Sequence, residues 1–511
     1  MNNTQENSST QSINASENQV KNHFLYKILN PESICIFGAN NDLLSTMGSM
    51  QMRNIRSGFK GKIYPIHLKL PEIQGYKAYK SVLDLPDIPD LAFIILPPHI
   101  VPQVLEECGK KGIKRAIITS GGFRESRYSD GIILSKKIDE IAKRYNIRFI
   151  GPNCLGVYNG WYGLDTNEHY LMTFWPYHVP DLGKISIISQ SGTIAAQTFW
   201  QAKKLGVKIG KSISIGNEQN IDMVDILEFC KNDPQTDVIG LYIEEVKRGK
   251  EFIKLAEEIT PIKPIVGIYA GGTEAATRSI MSHTGAIAGN SKIYEGVFKE
   301  TGIISTNSVM DFLYYLRTFL YAQLYNVYPS GKRVGIITES GGSATLMTKT
   351  CELYGLEVPE FSEELQKEIS NYIPYTASGS NPIDVTFFEN FYEFFVSLPK
   401  LIINSGEVDC ILFDGVWDFG EVIKIAKESG SSVNKLHQNF SKVFYSSFLK
   451  PLIRLTRKKS IPMFFCGPQL YSYPLYKEFI NFDIPIFELW DEAPKCMSIL
   501  VKYSEYRDRF S

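Results

Sequence analysis

A histidine in a run of small residues is the first position in this chain that could carry chemistry. His283 lies in MSHTGAIAGN, and the segment before it, GGTEAATRSIM, is glycine-rich and then helical in pattern. A histidine nitrogen can accept a phosphoryl group as a nucleophile while the other nitrogen donates to a carboxylate. The small neighbours favour a loop that presents the imidazole to a large partner. A satisfied core or surface histidine is the alternative interpretation of this segment alone.

A carboxylate that could orient this ring follows an apolar strand pattern. Glu244 comes directly after VIGLYI, so it should stand at the carboxyl end of a strand. A carboxylate bonded to one ring nitrogen fixes the tautomer and leaves the other nitrogen able to attack. An exposed acid at a strand end is the plainer interpretation, and the residues alone leave both open.

Three apolar strand patterns run into glycine-rich turns that begin helices: IFGANN, ISQSGTIAA and TESGGSATL. Ligands of open α/β sheets bind at such strand ends. In the first turn, Gly38, Ala39 and Asn40 could let the backbone approach a phosphate at a helix N-terminus. The GxGxxG spacing of a dinucleotide site is missing, which argues against a dehydrogenase. A structural tight turn and a nucleotide-type ligand explain this turn equally well.

The other two turns have the character of anion sites. Ser191, Gly192 and Thr193 begin one helix, and Gly341 and Gly342 begin another. Serine is also a preferred N-cap whatever its function, so a capping role stays open for each turn taken alone. A phosphoryl group that visited both helix ends would gain up to about 2 kcal/mol from each. Two such turns in one chain therefore favour an anion that both ends bind.

Composition excludes several other classes of protein. Of 511 residues, 44% are hydrophobic and 21% are charged, with a formal net charge of -1. This balance gives no general attraction for nucleic acid or an anionic membrane, and no apolar run reaches the roughly 20 residues of a membrane-spanning helix. Residues 1–24 are predicted to be a disordered polar leader without a secretion signal, so we expect a cytoplasmic protein. The eight scattered cysteines are expected to be reduced thiols.

The elements that must position these residues follow a repeating pattern of short apolar strands and helices, which predicts doubly wound α/β domains. Three domains are expected, at 25–160, 180–325 and 330–511, with an aromatic segment, 160–183, linking the first two. The strands are predicted in SICIFGA, GKIYPI, DLAFIIL, KRAIIT and IRFIGPN, then KISIISQ, KSISIG, DVIGLYIE and PIVGIYA, and finally RVGIIT, DCILFD, IPMFFCG and IPIFEL.

Several motifs in order carry a family resemblance. They are GPNCLGVYN, ISQSGTIAAQ, SIGNEQNIDMVDILEF, LYIEEVKRGKEF, SHTGAIAG, RVGIITESGG and SNPIDV. The chain resembles the α subunit of NDP-forming acyl-CoA synthetases, the ADP-forming acetate–CoA ligases related to succinyl-CoA synthetase. The resemblance runs from about residue 30 to the C-terminus and is weaker over 385–455. It implies a Rossmann-like CoA-binding domain followed by two flavodoxin-like, succinyl-CoA synthetase-like α/β domains.

The same resemblance implies the roles of individual residues. His283 would be the phosphorylated histidine, Glu244 would orient it, and the helix ends at 191–193 and 341–342 would stabilise the phosphohistidine. Contacts with coenzyme A are implied for Gly38, Ala39, Asn40, Lys69, Pro97, Ser120, Gly121, Gly122, Asn153 and Cys154. One departure is visible: relatives usually carry Asn-Pro-Lys after the second strand, where this chain reads His67-Leu68-Lys69.

The implied reaction is that of an acid–thiol ligase, in which acyl-CoA, phosphate and ADP interconvert with carboxylic acid, CoA and ATP through an acyl phosphate and a phosphohistidine. Neither a P-loop nor a recognisable nucleotide-grasping domain occurs in the sequence. ADP or ATP and Mg²⁺ are therefore expected on a separate ATP-grasp β subunit of a hetero-oligomer, and no metal site is expected on this chain. An acyl-CoA-sensing regulatory module without turnover is the alternative, although related modules tend to lose the site histidine. The sequence leaves the acyl group open.

Overall fold

The chain forms two compact units. One comprises Met1–Lys203 and Lys208–Phe312, and the other comprises Lys204–Val207 and Leu313–Ser511. The computed structural model describes residues 18–126, 129–163, 169–177, 179, 181–284, 289–386, 388, 390–417, 420–430, 440–467 and 473–510. The short segment Lys204–Val207 thus belongs to the second unit, although it interrupts the sequence of the first.

A five-stranded parallel sheet in the first unit has the order β2-β1-β5-β6-β7. Its strands are β1 (Ser33–Phe37), β2 (Lys62–Ile66), β5 (Leu91–Ile94), β6 (Arg115–Ile118) and β7 (Arg148–Ile150), and an antiparallel hairpin of β3 (Glu72–Ile73) and β4 (Tyr76–Lys77) follows β2. These strands are buried almost throughout, because consecutive apolar residues suit a sheet that is covered on both faces.

A seven-stranded sheet in the same unit has the order β14-β13-β12-β10-β11-β8-β9. Its strands are β8 (Gly156–Asn159), β9 (Leu171–Met172), β10 (Ile185–Ser189), β11 (Ile209–Ser214), β12 (Val238–Ile243), β13 (Ile265–Tyr269) and β14 (Ile304–Ser305). The strands from β10 to β14 are parallel, and β8 and β9 extend the β11 edge in the antiparallel sense.

The aromatic segment 160–183 is more than a link between domains. Leu171 and Met172 within it are fully buried in β9, and β9 pairs with β8. Strand β8, at the end of the predicted first domain (25–160), pairs in turn with β11 of the second sheet. The apolar residues of the segment thus complete the edge of that sheet, because burying them there removes them from water.

The predicted leader, 1–24, is too long at its C-terminal end. Residues 1–17 lie outside the described residues, whereas residues 18–22 are helical. Val20 is only 7% exposed, and it joins the hydrophobic core of the first unit together with the partly buried Phe24. The polar composition of residues 1–24 led to the prediction of disorder, but the burial of Val20 and Phe24 orders the chain before residue 25.

The second unit contains a parallel sheet of order β16-β15-β17-β18-β19. Its strands are β15 (Val334–Thr338), β16 (Ile383–Asp384), β17 (Cys410–Asp414), β18 (Met463–Cys466) and β19 (Ile486–Phe487). The segment Lys204–Val207 is held in this unit by Arg317, whose guanidinium donates to the carbonyls of Leu205 (2.7 Å) and Ile486 (2.6 Å).

Helices connect the strands of all three sheets. In addition to the turns at 18–22, the described α-helices are Tyr26–Leu29, Met47–Gly58, Val101–Lys111, Ser129–Tyr145, Gly192–Lys204, Met223–Asn232, Gly249–Ile259, Glu274–Thr284, Ser291–Thr301, Val309–Tyr325, Gly341–Leu353, Glu363–Ile369, Leu398–Ser405, Gly420–Glu428, Phe440–Phe444, Lys450–Lys459, Pro474–Asn481 and Glu492–Arg507. Short 3₁₀ helices span Val82–Asp84 and Asp508–Phe510. Two π-helical turns, Glu393–Ser397 and Tyr445–Leu449, both lie in 385–455, where the family resemblance is weakest.

In each sheet, the connections from two adjacent strands lead toward opposite edges of the sheet. This opens a crevice at the carboxyl ends of those two strands. The crevices lie between β1 and β5, between β10 and β12, and between β15 and β17. Open α/β sheets bind their ligands at such points. The three glycine-rich turns follow β1, β10 and β15, so the α/β fold class is confirmed and each turn lies at a crevice.

Candidate active site

The first crevice is bordered by the turn after β1. Gly38 has a φ of +91°, and a Cβ atom there would lie 1.9 Å from the carbonyl oxygen of Ile95, which follows β5. Only glycine permits this close approach of the two strand ends. Ala39 is buried, at 2% exposure, so the turn offers mainly backbone groups to a ligand.

Asn40 organises the loop that leads to the helix Met47–Gly58. Its side-chain oxygen accepts hydrogen bonds from the N–H of Asp42 (2.9 Å) and from the hydroxyls of Ser45 and Ser49 (both 3.0 Å). This oxygen is therefore engaged within the loop. Asn40 shapes the approach to the helix N-terminus, where an anion would be bound by backbone N–H groups.

Lys69 and Pro97 are exposed on the loops that follow β2 and β5. His67 closes the first of these loops, because its Nδ1 accepts from the N–H groups of Lys69 (3.1 Å) and Leu70 (3.0 Å). An asparagine oxygen closes the same kind of turn by accepting from backbone N–H groups. The change from Asn to His67 therefore leaves a side-chain-closed turn at Lys69.

Ser120, Gly121 and Gly122 form the turn after β6. Gly122 has a φ of +100°, and its N–H donates to a carboxylate oxygen of Glu125 (2.6 Å), which also accepts from the N–H of Phe123 (3.2 Å). Glu125 thus holds the turn in shape. Glu125 was not singled out from the sequence.

Asn153 and Cys154 belong to the turn after β7. The N–H of Asn153 donates to the carbonyl of Ser120 (2.9 Å), and its amide donates to the side-chain oxygen of Asn217 (3.2 Å). Burial raises the pKa of the Cys154 thiol to about 12, and this thiol donates to the carbonyl of Ile118 (3.4 Å). Cys154 therefore supports the turn from inside as a neutral thiol. Contact of either residue with coenzyme A stays a prediction.

The turn after β10 begins the helix Gly192–Lys204 at the second crevice. The hydroxyl of Ser189 donates to the carbonyl of Ser191 (2.7 Å) and accepts from its N–H (3.1 Å). The Ser191 hydroxyl is 3.4 Å from the N–H of Ile194, which makes it a long N-cap. Ser191 is half-buried and Thr193 is exposed, so a ligand could reach this helix end.

Gly192 brings this helix end against the turn after β7. A Cβ atom at Gly192 would lie 2.6 Å from Cγ of Leu155, the residue that follows the GPNC turn. The N–H of Leu155 donates to the Ser214 hydroxyl (3.0 Å), and its carbonyl accepts from Gln51 (3.2 Å). Gln51 lies on the helix Met47–Gly58, which begins near the first crevice. The two predicted ligand sites of the first unit therefore meet at Leu155.

Glu244 stands at the end of β12 and is buried, at 7% exposure, rather than lying in solvent. Its N–H and that of Glu245 (3.1 Å) both donate to the side-chain oxygen of Gln190. The side-chain nitrogen of Gln190 donates to the carboxylate of Glu218 (2.7 Å) and to the carbonyl of Glu245 (2.8 Å). Gln190 thus joins the ends of β10 and β12. Neither Gln190 nor Glu218 was singled out from the sequence, although both lie in motifs that carry the resemblance.

Glu218 is an interior carboxyl with a shifted pKa. Burial raises its pKa to about 7, against the opposing charge of Lys247, and one of its oxygens accepts from the N–H of Met223 (2.9 Å). The Lys247 ammonium donates to the carbonyls of Asn217 (2.8 Å) and Glu218. The Asn217 amide donates to Glu125. Hydrogen bonds therefore run without a break from the turn after β6 to the end of β12.

The backbone of His283 lies in the last turn of the helix Glu274–Thr284. The helix follows Gly272, whose φ is +106°, and thus begins near the end of β13, beside β12. His283 is therefore on a helix end, whereas the sequence pattern favoured a loop. Its side chain and residues 285–288 lie outside the described residues, so its pairing with Glu244 stays a prediction.

The turn after β15, at the third crevice, begins the helix Gly341–Leu353 in the second unit. The N–H of Ser340 donates to the Thr338 hydroxyl (3.0 Å). Burial, and next the charge of Asp414, raise the pKa of Glu339 to about 7, and the Trp417 indole donates to its carboxylate. Asp414 is itself buried, which raises its pKa, and it accepts from the Ser343 hydroxyl (2.6 Å). Carboxyl groups thus stand beside this helix end.

The described residues contain neither a metal-binding cluster nor a membrane-spanning helix. No group of three or more His, Cys, Asp or Glu side chains among them is placed to hold a metal ion. Within the same ranges, no helix has both the length and the apolar character needed to cross a bilayer. All eight cysteines are described and buried, and none of them forms a disulfide bond, as expected for reduced thiols.

Family models match two stretches of the chain. A CoA binding domain matches residues 32–160, and a succinyl-CoA ligase like flavodoxin domain matches residues 182–319. The first match contains the strands of the first sheet together with β8, and the second contains β10 to β14. Both domain types were expected from the sequence motifs.

Named relatives carry the similarity further. An ADP-forming acetate–CoA ligase of Methanocaldococcus jannaschii is 40% identical over 357 residues, which cover 70% of this chain and 48% of the relative. The α subunit of ADP-forming acetate–CoA ligase II of Pyrococcus furiosus is 34% identical over 383 residues, which cover 75% of this chain and 80% of the relative. The chain therefore spans about half the length of the first relative and most of the second.

A solved structure covers all three sheets. It is the dinucleotide forming acetyl-coenzyme A synthetase 1 of Ca. Korarchaeum cryptofilum, determined in complex with phosphate and ADP. It is 30% identical, superposes with a TM-score of 0.76, and covers 95% of this chain and 97% of the neighbour. The third α/β domain, which neither family model matches, is thus also shared with this synthetase.

Proposed function

Because the chain belongs to the family of ADP-forming acetate–CoA ligases, we propose that it interconverts acyl-CoA, phosphate and ADP with a carboxylic acid, CoA and ATP. The observation that carries this proposal is the contact between Gly192 and Leu155. It joins the helix end suited to phosphate with the turn assigned to coenzyme A, so a thioester and a phosphate could react in one crevice.

The first proposed step moves the acyl group from sulfur to phosphate. A phosphate oxygen attacks the thioester carbonyl carbon, the C–S bond breaks, and CoA leaves as a thiolate that takes up a proton. The helix end at 191–193 stabilises the phosphate, because the N-terminus of a helix carries about half a positive charge. The turns at 38–40 and 120–122, with Lys69, Pro97, Asn153 and Cys154, hold or support coenzyme A.

The second proposed step moves the phosphoryl group to the protein. A nitrogen of His283 attacks the phosphorus of the acyl phosphate, the bond from phosphorus to the acyl oxygen breaks, and the carboxylate leaves. Glu244 accepts a hydrogen bond from the proton-bearing nitrogen of the ring and stabilises the positive charge that develops there. Its burial strengthens this interaction, since a low local dielectric screens the two charges less.

The final proposed step takes place with a partner subunit. Two Pyrococcus furiosus relatives are named as α subunits of their ligases, which implies a second subunit in those enzymes. We place ADP or ATP and Mg²⁺ on an ATP-grasp β subunit that takes the phosphoryl group from His283. We propose that the helix end at Gly341 and Gly342 binds a phosphoryl group through its backbone N–H groups.

The decisive experiment is phosphorylation of the chain co-expressed with its ATP-grasp partner. After incubation with Mg-ATP, the intact mass should rise by one phosphate that is acid-labile. His283→Ala should abolish this phosphate, whereas His169→Ala, at a half-buried histidine elsewhere in the first unit, should retain it. An acid-labile phosphate that survives in His283→Ala would refute the assignment. If the unmodified chain binds CoA but carries no phosphate, the alternative function, an acyl-CoA-sensing regulatory module, is favoured.

A further inference from the structure

We propose that Gln190 is the positioning residue of the phosphohistidine site: its amide holds Glu244 in register with the phosphate-binding helix end. The proposal rests on the proposed function, because Glu244 has a task only if His283 is phosphorylated. Gln190 would touch neither substrate nor the reacting atoms, so it acts through Glu244 and through the turn to which it belongs.

The hydrogen bonds of the Gln190 amide engage both of its ends. Its oxygen accepts two N–H groups, from Glu244 and Glu245, and its nitrogen donates both hydrogens, to Glu218 and to the Glu245 carbonyl. The side chain is 7% exposed, so water could replace these bonds only if the site opened. The backbone at the end of β12, and with it the root of the Glu244 side chain, is therefore fixed by one amide.

The backbone of Gln190 makes the second connection. Its N–H donates to the carbonyl of Tyr242 (3.3 Å), and the next residues are Ser191 and Gly192 of the helix end. The carboxylate that orients the imidazole and the N–H groups that bind phosphate are thus set by the same residue. A displacement of Gln190 would change the distance between them, and misplacement by about 1 Å can cost 100-fold in rate.

Glu218 anchors the amide from the opposite side. It is 3% exposed, and it accepts from Gln190 and from the N–H of Met223, so the side-chain nitrogen of Gln190 has a fixed acceptor. The adjacent Asn217 donates to Glu125, which shapes the turn assigned to coenzyme A. The anchor is thereby rooted in the first domain of the same unit, so that Gln190 aligns the phosphohistidine side of the crevice with the CoA side.

Three variants separate positioning from mere packing. Gln190→Met keeps the volume and removes all four side-chain hydrogen bonds. Gln190→Glu keeps the shape but sets a second carboxylate against Glu218, and the exchange Gln190→Glu with Glu218→Gln restores one donor between the two positions. Gln201→Met, at an exposed glutamine on the helix Gly192–Lys204 that follows this turn, is the matched control for Gln190→Met.

The measurement is single-turnover phosphorylation of the complex with Mg-ATP, beside the KM for coenzyme A. We expect Gln190→Met to slow phosphorylation at least about tenfold, which corresponds to about 1.4 kcal/mol of barrier, with little change in KM. Gln190→Glu should be slower still, and the exchanged pair should recover most of that loss. Gln201→Met should behave as the unmodified chain.

The outcomes distinguish this proposal from the proposed function. If the unmodified complex forms no phosphohistidine, the proposed function fails. If it does, and Gln190→Met phosphorylates at the unmodified rate, only the positioning role is refuted. The positioning role is also refuted if calorimetry shows that the exchanged pair is folded and its phosphorylation is no faster than that of Gln190→Glu. Restoring the hydrogen bond would then have no effect.

Discussion

Two turns of this chain share a backbone design and differ at one chemical position. After β10 and after β15, a hydroxyl residue, Ser189 or Thr338, accepts from the N–H of the serine two residues later, Ser191 or Ser340. A glycine begins the helix directly afterwards in both. Between hydroxyl and serine, however, the first turn has a glutamine and the second a glutamate.

That difference changes where a titratable group stands. In the first turn, Gln190 is neutral and reaches an interior carboxyl, Glu218, with a pKa of about 7. In the second, the carboxyl is Glu339 itself, also with a pKa of about 7. The two turns thus differ in the position of their acidic group. In the first turn the acid is a hydrogen-bond partner of the amide side chain, whereas in the second the acid belongs to the turn itself; both acids change charge near neutral pH.

Replacing the two carboxyls one at a time should give the largest change in the free energy of unfolding. It should also show which carboxyl makes that free energy depend on pH. A carboxyl whose pKa is raised on folding contributes stability that is full below its unfolded pKa and is lost as pH rises through the folded pKa. For Glu218, raised from 4.5 to about 7, the loss is at most roughly 3 kcal/mol. The free energy of unfolding of the unmodified chain, relative to Glu218→Gln, should fall by this order from about pH 5 to about pH 8.

For Glu339→Gln the corresponding fall should be smaller, roughly 1 kcal/mol, because Glu339 is less buried and better screened. Hydrogen exchange in the strands β11 and β15, which precede Glu218 and Glu339, would measure both changes at the two pH values. If the free energies of unfolding of Glu218→Gln and of the unmodified chain differ by the same amount at both pH values, Glu218 is not a buried carboxyl with a raised pKa.

Alanine at Gly192, which begins the first helix, and at Gly342, the second residue of the other helix, should sharpen the comparison through steric contacts. A Cβ at Gly192 would lie 2.6 Å from Cγ of Leu155, whereas the nearest atom to one at Gly342 is the Ser340 hydroxyl, at 3.8 Å. We expect Gly192→Ala to destabilise the first unit by about 1–3 kcal/mol and to slow phosphorylation. Gly342→Ala should change stability by no more than about 0.5 kcal/mol. Thermal unfolding would test this, and equal shifts for both variants would refute the close contact.

Removing the hydroxyls that close the two turns should destabilise the protein less than Gly192→Ala does. Ser189→Ala and Thr338→Val each leave a serine N–H without its acceptor, at a cost of about 1 kcal/mol. Thr338→Val should cost more of the two, because its hydroxyl also lies 3.0 Å from the buried carboxylate of Asp414. Chemical denaturation of the two variants would rank them, and the reverse order would show that Asp414 does not depend on Thr338.

The glycine turns could be predicted because their signal is local. Gly38, Gly192 and Gly341 each follow a strand and precede a helix or the loop that leads to one, and the structure places all three turns at crevices. The strand pattern proposed Glu244, which is buried at the end of β12, as a candidate orienting carboxylate, and the family motifs implied the same role. The role of His283 and the coenzyme A contacts remain predictions that the experiments above address.

The supporting residues could not be predicted from local signals, because their partners are distant in the chain. Gln190 and Glu218 are 28 residues apart, and Glu125 and Asn217 are 92 apart. Only the order of the strands brings these side chains together, and strand patterns do not specify that order. Strand β9, of two residues, is likewise too short to show a period of its own.

The segment Lys204–Val207 makes this molecule a poor candidate for modular exchange. Leu205 and Val207 are 5% and 2% exposed, and the Leu205 carbonyl receives the guanidinium of Arg317, yet the chain returns to the first unit at Lys208. A chain ended near residue 312 would present these two apolar side chains to water, and the complementary fragment would have a buried guanidinium without one of its acceptors. Recombination at that boundary would damage both products, so the two units are expected to be inherited as one block.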